Sequence, residues 1–385
     1  MHQDFREIRP CGGRVSFIYR NGPNGSRQYS VRIEHRGATA AAWMGIYALP
    51  EGIPVGMIEA SGIGAPWNPP PHPDCLPVFI SSDSEGRYGH QCGTCGGYWR
   101  SEGASTKWPL TCSYCGERGS GHEFLTSGQR AYVEVYCHTL LNGIQSISDE
   151  TVSIDMDAVA EKISRGVERP AFYHAEESQQ HKFTCDECRS WNDVLGKFAY
   201  CSSCGTRNDL NCISASIDNI RDRANSGDAL DRCVRDLVSE FDTVARQYTE
   251  QLVRRVPMIQ KRRNRIAGKL FHDIKARAED IEIIFGIKVF DDLSDADKKF
   301  VVMMFQRRHV YDHNGGQVDQ KYIDESGDTS VRLMQALRET RENVHRLANL
   351  ISKMTRNFHM GFHQIFMPEP SAIEYGKTRR RVPGD

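Results

Sequence analysis

Eight of the 13 cysteines in the chain occur as four Cys-x-x-Cys pairs, and the pairs fall into two groups of four. These residues are Cys92, Cys95, Cys112 and Cys115 in the first group and Cys185, Cys188, Cys201 and Cys204 in the second. A two-residue gap lets one tight turn present both thiolates to the same ion, and four thiolates at ~2.3 Å complete the tetrahedron that zinc prefers. We therefore predict two structural Zn²⁺ ions, each with no open position for a substrate.

The spacing between the pairs favours a hairpin that returns the second pair to the first. Sixteen residues separate the pairs of the first group and 12 separate those of the second. Glycine follows three of the pairs, at Gly96, Gly116 and Gly205, where the backbone can turn with positive φ. Both groups resemble zinc ribbons, over residues 88–118 and 181–207, and such ribbons often contact nucleic acid or proteins.

Aromatic and basic residues surround the cysteines in both ribbons. They are Tyr98, Trp99, Arg100, Lys107 and Trp108 in the first and Arg189, Trp191 and Lys197 in the second. Two interpretations remain open from the sequence. The side chains could stack on bases and contact phosphates, or the aromatic ones could form the core of so small a fold.

A second group of chemically active residues stands at the end of a predicted helix, in Phe305-Gln-Arg-Arg-His-Val-Tyr-Asp-His-Asn-Gly-Gly316. Five helical positions advance about 500°, so Arg308 and His313 point within about 140° of each other. The helix dipole favours the protonated form of a histidine at this end. An imidazole that exchanges protons beside a guanidinium that stabilises phosphoryl charge suits cleavage of an RNA phosphodiester. Arg307, which is separated from His313 by five residues, is an alternative arginine partner for this histidine.

The same segment carries a family resemblance. Arg308-x4-His313, continuing as His-Asn-Gly-Gly-x-Val-Asp-x-x-Tyr to Tyr322, resembles the HEPN superfamily of ribonucleases over about residues 215–365. The resemblance implies a helical bundle that dimerises and joins two copies of the motif in one cleft. It also implies metal-independent endoribonuclease activity that leaves a 2′,3′-cyclic phosphate and a 5′-hydroxyl, often in toxins and antiviral defence. Arg308 and His313 carry over as catalytic residues, and His309 takes the position where the family favours a polar residue.

The elements that must position these residues divide into a strand-rich first part and a helical last part. Strands are predicted at 15–19, 29–33 and within 46–58, because β-branched and aromatic residues recur between glycine-containing turns. Helices are predicted over 123–141, with a strand in the middle of that segment as the alternative, and over 154–163. Four longer helices are predicted at 230–252, 266–285, 294–313 and 329–358 from apolar residues at 3.6-residue spacing.

We therefore predict a multidomain α+β protein in which a β-rich domain and two zinc ribbons precede an antiparallel, HEPN-like α-helical bundle. The predicted segments are a β-rich domain (1–87), zinc ribbon 1 (88–122), a helical connector (123–180), zinc ribbon 2 (181–212), the bundle (213–365) and a disordered basic tail (366–385). Asn314 and Asp319, beside the motif, are interpreted as turn formers.

Composition excludes a membrane protein and a disordered one. Hydrophobic residues make up 39% and charged residues 26% of the chain, and no apolar run approaches the ~20 residues that span a bilayer. The start of the chain has no apolar segment typical of a secretory signal, so we expect a cytoplasmic protein. The net charge is −1, but residues 254–269 contain seven basic and no acidic residues. This strip could follow a phosphate backbone or be a solvated helix face.

Two functions remain open from the sequence. The first is an RNA-cleaving effector, a homodimer whose ribbons sense or position the RNA substrate and which a regulatory protein partner could restrain. The alternative is a non-catalytic adaptor that binds nucleic acid or protein through its ribbons and uses an inactive bundle to dimerise.

Overall fold

The computed structural model describes residues 4–21, 27–36, 43–59, 66–145, 151–164, 176–269 and 271–379. The chain forms two compact units. The first comprises Met1–Thr206 together with Pro368–Asp385, and the second comprises Arg207–Met367.

The described residues contain fourteen strands, all in the first unit. They are β1 (Glu7–Ile8), β2 (Gly13–Asn21), β3 (Arg27–His35), β4 (Trp43–Ala48), β5 (Pro54–Met57), β6 (Leu76–Ser81), β7 (Tyr88–Gln91), β8 (Tyr98–Ser101), β9 (Leu110–Thr111), β10 (Arg118–Gly119), β11 (Thr151–Asp155), β12 (Glu176–Glu177), β13 (His181–Thr184) and β14 (Trp191–Val194). The three strands predicted nearest the start of the chain are confirmed as β2, β3 and the β4–β5 pair. The glycine-containing segment predicted to turn between the first two strands includes residues 22–26, which lie outside the described residues.

Across both units, the described residues contain ten α-helices. They are α1 (Ser127–Gln145), α2 (Met156–Ser164), α3 (Asp209–Ser226), α4 (Leu230–Arg255), α5 (Gln260–Ile266), α6 (Ile274–Phe285), α7 (Asp295–His313), α8 (Gln320–Ser326), α9 (Arg341–Ile365) and α10 (Pro370–Arg379). None of the described helices combines the length and the apolar character that crossing a bilayer requires.

Helix α1 belongs to the core of the first unit. It packs with two antiparallel sheets of strand orders β11-β2-β3 and β5-β4-β6. Its buried side chains Tyr132, Tyr136 and Leu140 lie in one apolar cluster with Phe17 and Ile46. Residues 123–180, predicted as a helical connector, therefore contribute two helices, α1 and α2, and the strand β11 to this core.

The two cysteine-rich segments share one antiparallel sheet of strand order β13-β14-β8-β7. Its central pairing joins Asn192 to Ser101 and Asp193 to Arg100, so that one strand comes from each segment. The Arg100 guanidinium is fully buried and contacts Asp193 at 2.8 Å and Asp83 at 2.7 Å. Two cysteine groups that are separate in sequence therefore stand on a common, tightly held scaffold.

Helix α10 corrects the prediction of a disordered tail over residues 366–385. The N–H of Glu369 donates to the Cys204 carbonyl at 2.7 Å, and Ala372 is 1% exposed within the second cysteine cluster. At Gly376 a Cβ would lie 2.2 Å from the Cys188 carbonyl oxygen, so only glycine permits this close approach. Small residues thus let a polar, basic segment pack on the second ribbon. Residues 380–385 of the predicted tail lie outside the described residues.

The second unit is helical, and its core is aromatic. Phe241 of α4 packs edge-on against Phe305 of α7 and against Phe271, while Tyr248 of α4 stacks on Phe358 of α9 at 5.1 Å. Long helices with apolar faces at α4, α7 and α9 agree with the predicted helical part.

Three features of this unit differ from the prediction. Helix α3 was not predicted. The helix predicted at 266–285 begins only at Ile274, as α6, and the separate helix α5 (Gln260–Ile266) was not predicted. Gly268, which follows α5, has a φ of +69°. The helix predicted to begin at 329 is α9, which begins at Arg341. Its start is capped by the Thr340 side chain, which accepts a hydrogen bond from the Asn343 N–H.

Candidate metal centres and candidate active site

Each Cys-x-x-Cys pair forms the same tight turn. The residue after the second cysteine donates its N–H to the carbonyl of the first cysteine. These bonds run from Gly96 to Cys92, Gly116 to Cys112, Arg189 to Cys185 and Gly205 to Cys201, at 2.8–3.0 Å. Arg189 adopts φ +63°, the left-handed region that glycine occupies in the other three turns. The turn geometry is therefore retained even where the side chain opposes it.

The turns bring the sulfurs into two groups of four. Sulfur pairs lie 3.7 Å apart for Cys92–Cys115, Cys95–Cys112 and Cys185–Cys204 and 3.5 Å apart for Cys188–Cys201. Within each group all four sulfurs lie within 4.8 Å of one another. Four ligands at ~2.3 Å from a tetrahedral centre are about 3.8 Å apart, so the spacing fits one metal ion per group. Both predicted tetrathiolate metal sites are confirmed as residue clusters.

Protonation also favours a cation between the thiols. Burial raises the pKa of Cys201 well above that of a free thiol. A hydrogen bond from the Cys112 thiol lowers the pKa of Cys115 to about 5, which marks one preferred thiolate among its neighbours. Four crowded, mostly buried sulfurs cannot all ionise unless a positive charge lies among them. A divalent ion supplies that charge.

The two arginines that competed for a role at the end of α7 have different environments. The Arg307 side chain is 8% exposed and contacts the buried carboxylates of Asp328 at 2.8 Å and Glu339 at 3.1 Å. Its Nε also donates to the Tyr322 hydroxyl at 3.1 Å. Arg307 therefore connects α7 to α8 and to the segment before α9, and it is committed to structure.

Arg308 instead lines an open groove of about 490 Å³. Its Nε lies 2.9 Å from an Asp312 carboxylate oxygen, one helical turn further on, and its Nη1 lies 3.2 Å from Nε2 of His272. The side chain is 19% exposed. Two contacts thus fix the guanidinium while leaving part of it open to a ligand.

His309 and His313 face each other across one turn of α7, with ring centroids 4.5 Å apart. His309 lines the groove with Arg308, and His313 is exposed at the helix end. Burial lowers the pKa of His309, and the nearby charge of His313 lowers it further. The three predicted site residues therefore belong to one surface, where a neutral imidazole can accept a proton close to a guanidinium.

His272 is a residue of this groove that the sequence analysis missed. It lies between α5 and α6, 36 positions before Arg308, and no local motif marks it. An arginine N–H can only donate, so Nε2 of His272 accepts and its ring is neutral. Burial and the charge of Arg308 lower the pKa of His272, which agrees with this state.

The residues after His313 build a turn, as predicted for Asn314 and Asp319. The Asn314 side chain donates to Asp319 at 2.6 Å, and Asp319 caps α8 by accepting from the Tyr322 N–H at 2.8 Å. Gly315 has a φ of +59°. This part of the motif therefore fixes the chain around the groove.

Comparison with known proteins gave no relative: no protein-family model matches the chain, and neither the curated proteins nor the solved structures contain a significant match.

Proposed function

We propose that the chain is a metal-independent endoribonuclease whose active site is the groove at the end of α7. The observation that supports this most directly is the grouping of Arg308 with His309 and His272 around one open groove, next to His313. Arginine and histidine that can accept and return a proton are the groups that RNA transphosphorylation needs. The reaction requires proton transfer and stabilisation of phosphoryl charge.

In the proposed reaction the 2′-hydroxyl of the RNA attacks the adjacent phosphorus. A neutral imidazole of His309 or His313 takes the hydroxyl proton, and a protonated imidazole returns a proton to the departing 5′-oxygen. The bond from phosphorus to that oxygen breaks, which leaves a 2′,3′-cyclic phosphate and a 5′-hydroxyl. Arg308 stabilises the negative charge that builds on the non-bridging oxygens.

The basic segment that precedes His272 in the chain supports a polyanionic substrate. Lys261, Arg262 and Lys269 are exposed, and no ion pair within the described part of the chain involves them. Lys269 is three residues from His272, so their Cα atoms are at most roughly 11 Å apart. Unneutralised positive charge at this distance attracts a phosphate backbone towards Arg308.

The resemblance to HEPN ribonucleases extends this proposal to assembly and biology. A homodimer would bring two copies of Arg308 and His313 to one RNA strand. Such enzymes often act as toxins or in antiviral defence, and a regulatory protein partner is expected to restrain one that cuts cellular RNA. A cytoplasmic location follows from the same proposal.

We further infer that both cysteine clusters hold zinc. Tetrahedral four-thiolate coordination suits Zn²⁺, and a filled coordination shell makes each ion structural. Tetrathiolate sites also suit iron, which absorbs visible light, whereas zinc sites are colourless. Elemental analysis of the purified chain distinguishes the two metals and is expected to give about two zinc per chain.

The test is cleavage of RNA in EDTA by wild type, Arg308→Ala and His313→Ala. Zinc content is measured after the incubation, so that loss of structural metal is not mistaken for loss of catalysis. Arg341→Ala and His345→Ala remove the same side-chain types elsewhere in the second unit and serve as matched controls. We expect cutting by wild type and both controls and a loss of at least a hundredfold in both groove variants.

The competing function is a non-catalytic adaptor that binds through its ribbons. It predicts that wild-type protein binds RNA or a protein without cutting it. Equal cutting by Arg308→Ala, His313→Ala and wild type would instead assign the activity to another site or to a contaminant. Either result ends the nuclease proposal for this groove.

A further inference from the structure

The first unit contains a cleft of its own, which lies between the two cysteine-rich segments. It encloses about 410 Å³, which is within the size range of small-molecule sites. Its lining includes Ser105, Lys107, Trp108, Trp191, Ser203 and Tyr375. The cleft thus combines aromatic rings with hydroxyl groups on one rigid scaffold.

Two cations lie over the Trp191 ring, and the farther is Arg100, whose guanidinium carbon is 5.6 Å from the ring centroid. The Arg87 guanidinium carbon lies 4.4 Å from the centroid of the same ring, and Arg87 contacts Glu102 at 3.1 Å. Trp191 begins β14, directly after the turn of the second metal centre. Its ring is half-buried, so an aromatic surface is held in place before a ligand arrives.

Trp108 is fixed from another direction. Its indole N–H donates to the Ser203 hydroxyl at 3.2 Å, and its ring packs on Tyr375 of α10 with centroids 5.5 Å apart. Ser203 lies within the last Cys-x-x-Cys turn. Trp108 therefore contacts the last turn of the second metal centre, and Trp191 follows the first turn of that centre in sequence, whereas Trp99 is fully buried in the core.

Charge and polarity select among ligands. The carboxylate of Glu102 is paired with Arg87, which disfavours a quaternary ammonium ligand because such a ligand gains most from an available anion. The lining hydroxyls disfavour a wholly apolar ligand, because their polar atoms would lose water without gaining partners. Exposed Lys107 offers one positive charge at the cleft. A flat, uncharged, hydrogen-bonding ring next to a phosphate satisfies all three groups.

The geometry points to a nucleobase-binding subsite in which an unpaired base stacks on Trp108 or Trp191 and its edge bonds to the serine hydroxyls. The inference rests on the proposed function in taking single-stranded RNA as the source of the base. It adds that the ribbons bind the substrate directly, at a site separate from the groove of Arg308.

Full-length protein labelled with fluorotryptophan tests this by fluorine NMR, because each of the five tryptophans gives its own signal. Uncharged adenosine, guanosine, cytidine and uridine probe the cleft without attraction to basic surfaces. Uncleavable 2′-O-methyl hexanucleotides then distinguish an RNA strand from a free nucleoside. We expect nucleosides to shift the signals of Trp108 and Trp191 and to leave those of Trp67 and Trp99 in place.

Substitutions separate stacking from packing. Trp191→Leu and Trp108→Leu are expected to weaken hexanucleotide binding about tenfold or more, and Trp191→Phe, which keeps an aromatic ring, by less than about threefold. Trp67→Phe controls for labelling, and metal content verifies folding. Unshifted Trp108 and Trp191 signals with every nucleoside, or shifts caused by a tryptophan-containing peptide alone, overturn the subsite. Arg308→Ala should not alter these shifts, so failure of the nuclease and failure of the subsite are distinguishable.

Discussion

Arg307 and Arg308 are consecutive residues of α7, yet the first is held in a buried ion network and the second lines an open groove. Arg307 contacts Asp328 and Glu339, whose side chains are 3% and 0% exposed. Arg308 contacts His272 and Asp312 at the surface. A helix turns about 100° per residue, so neighbouring positions serve different surfaces.

This difference predicts opposite effects of removing each guanidinium. Arg307→Ala leaves two buried carboxylates without a partner and should lower the free energy of unfolding by about 3–5 kcal/mol. Arg308→Ala removes a partly exposed contact and should cost less than about 1 kcal/mol. Urea unfolding of the two variants measures this. Similar losses of stability for both would contradict the division of roles.

His272 is expected to act as a positioning residue for Arg308. His272→Ala should lower the cleavage rate roughly tenfold and leave unfolding nearly unchanged, because it frees the guanidinium to leave the groove. His272→Gln, whose side-chain oxygen can accept the same bond, should recover most of the rate. The KM and kcat of both variants decide the point: an Ala variant with wild-type kcat, or one that Gln does not rescue, excludes the positioning role.

The metal centres predict a stepwise loss of zinc. Cys112→Ser or Cys201→Ser should reduce zinc from about two to about one per chain, whereas Cys75→Ser, outside both clusters, should retain both ions. Because β8 and β14 pair, hydrogen exchange should rise in both strands when either ion is lost. Ligand variants that keep both ions and normal exchange would rule out structural metal sites.

Two partly buried histidines predict loss of stability in acid. Burial lowers the pKa of His359 to about 3 and that of His363 to about 4. His363 accepts from the Arg207 N–H at 3.2 Å and donates to the Phe366 carbonyl at 3.0 Å, so its neutral form is fully bonded. In the unfolded chain these histidines have a pKa of about 6.5, so below that pH the unfolded chain binds more protons than the folded chain does.

The stabilisation is therefore complete above about pH 6.5 and is lost as the pH falls towards 4. Between pH 7 and 5 the second unit should lose on the order of 3 kcal/mol, visible as faster amide exchange in α9. His363→Gln, which does not titrate, should reduce this slope, and His345→Gln should not. A slope unchanged by His363→Gln would show that other groups cause it.

Local patterns predicted the metal clusters well, because the ligands of each lie within 24 residues and the turn geometry is set by two-residue gaps. They also predicted α7, whose first turn is capped by the Ser294 side chain accepting from the Asp297 N–H. His272 was missed because its link to Arg308 depends on how the segment that leads into α6 packs on α7. Helix α10 was missed because its contacts use Ala372 and Gly376, two small residues in a polar segment. Neither contact leaves a periodic pattern.

The ribbon aromatics show the same limit. Spacing alone did not distinguish stacking residues from core residues, and the structure divides them. Trp99 and Arg100 are fully buried, whereas Trp108 and Trp191 are half-buried and line a cleft. The division depends on the pairing of β8 with β14, a contact between segments about 90 residues apart that no local pattern encodes.

The chemical ends of the cut RNA test the central proposal most directly. A defined RNA is incubated with wild type and with Arg308→Ala in EDTA, and the fragments are analysed by mass. We predict 2′,3′-cyclic phosphate and 5′-hydroxyl ends from wild type, none from the variant, and no cutting of a fully 2′-O-methylated copy. Fragments with 3′-hydroxyl and 5′-phosphate ends, or cutting of the methylated copy, would contradict the account, because the 2′-hydroxyl would then not be the nucleophile.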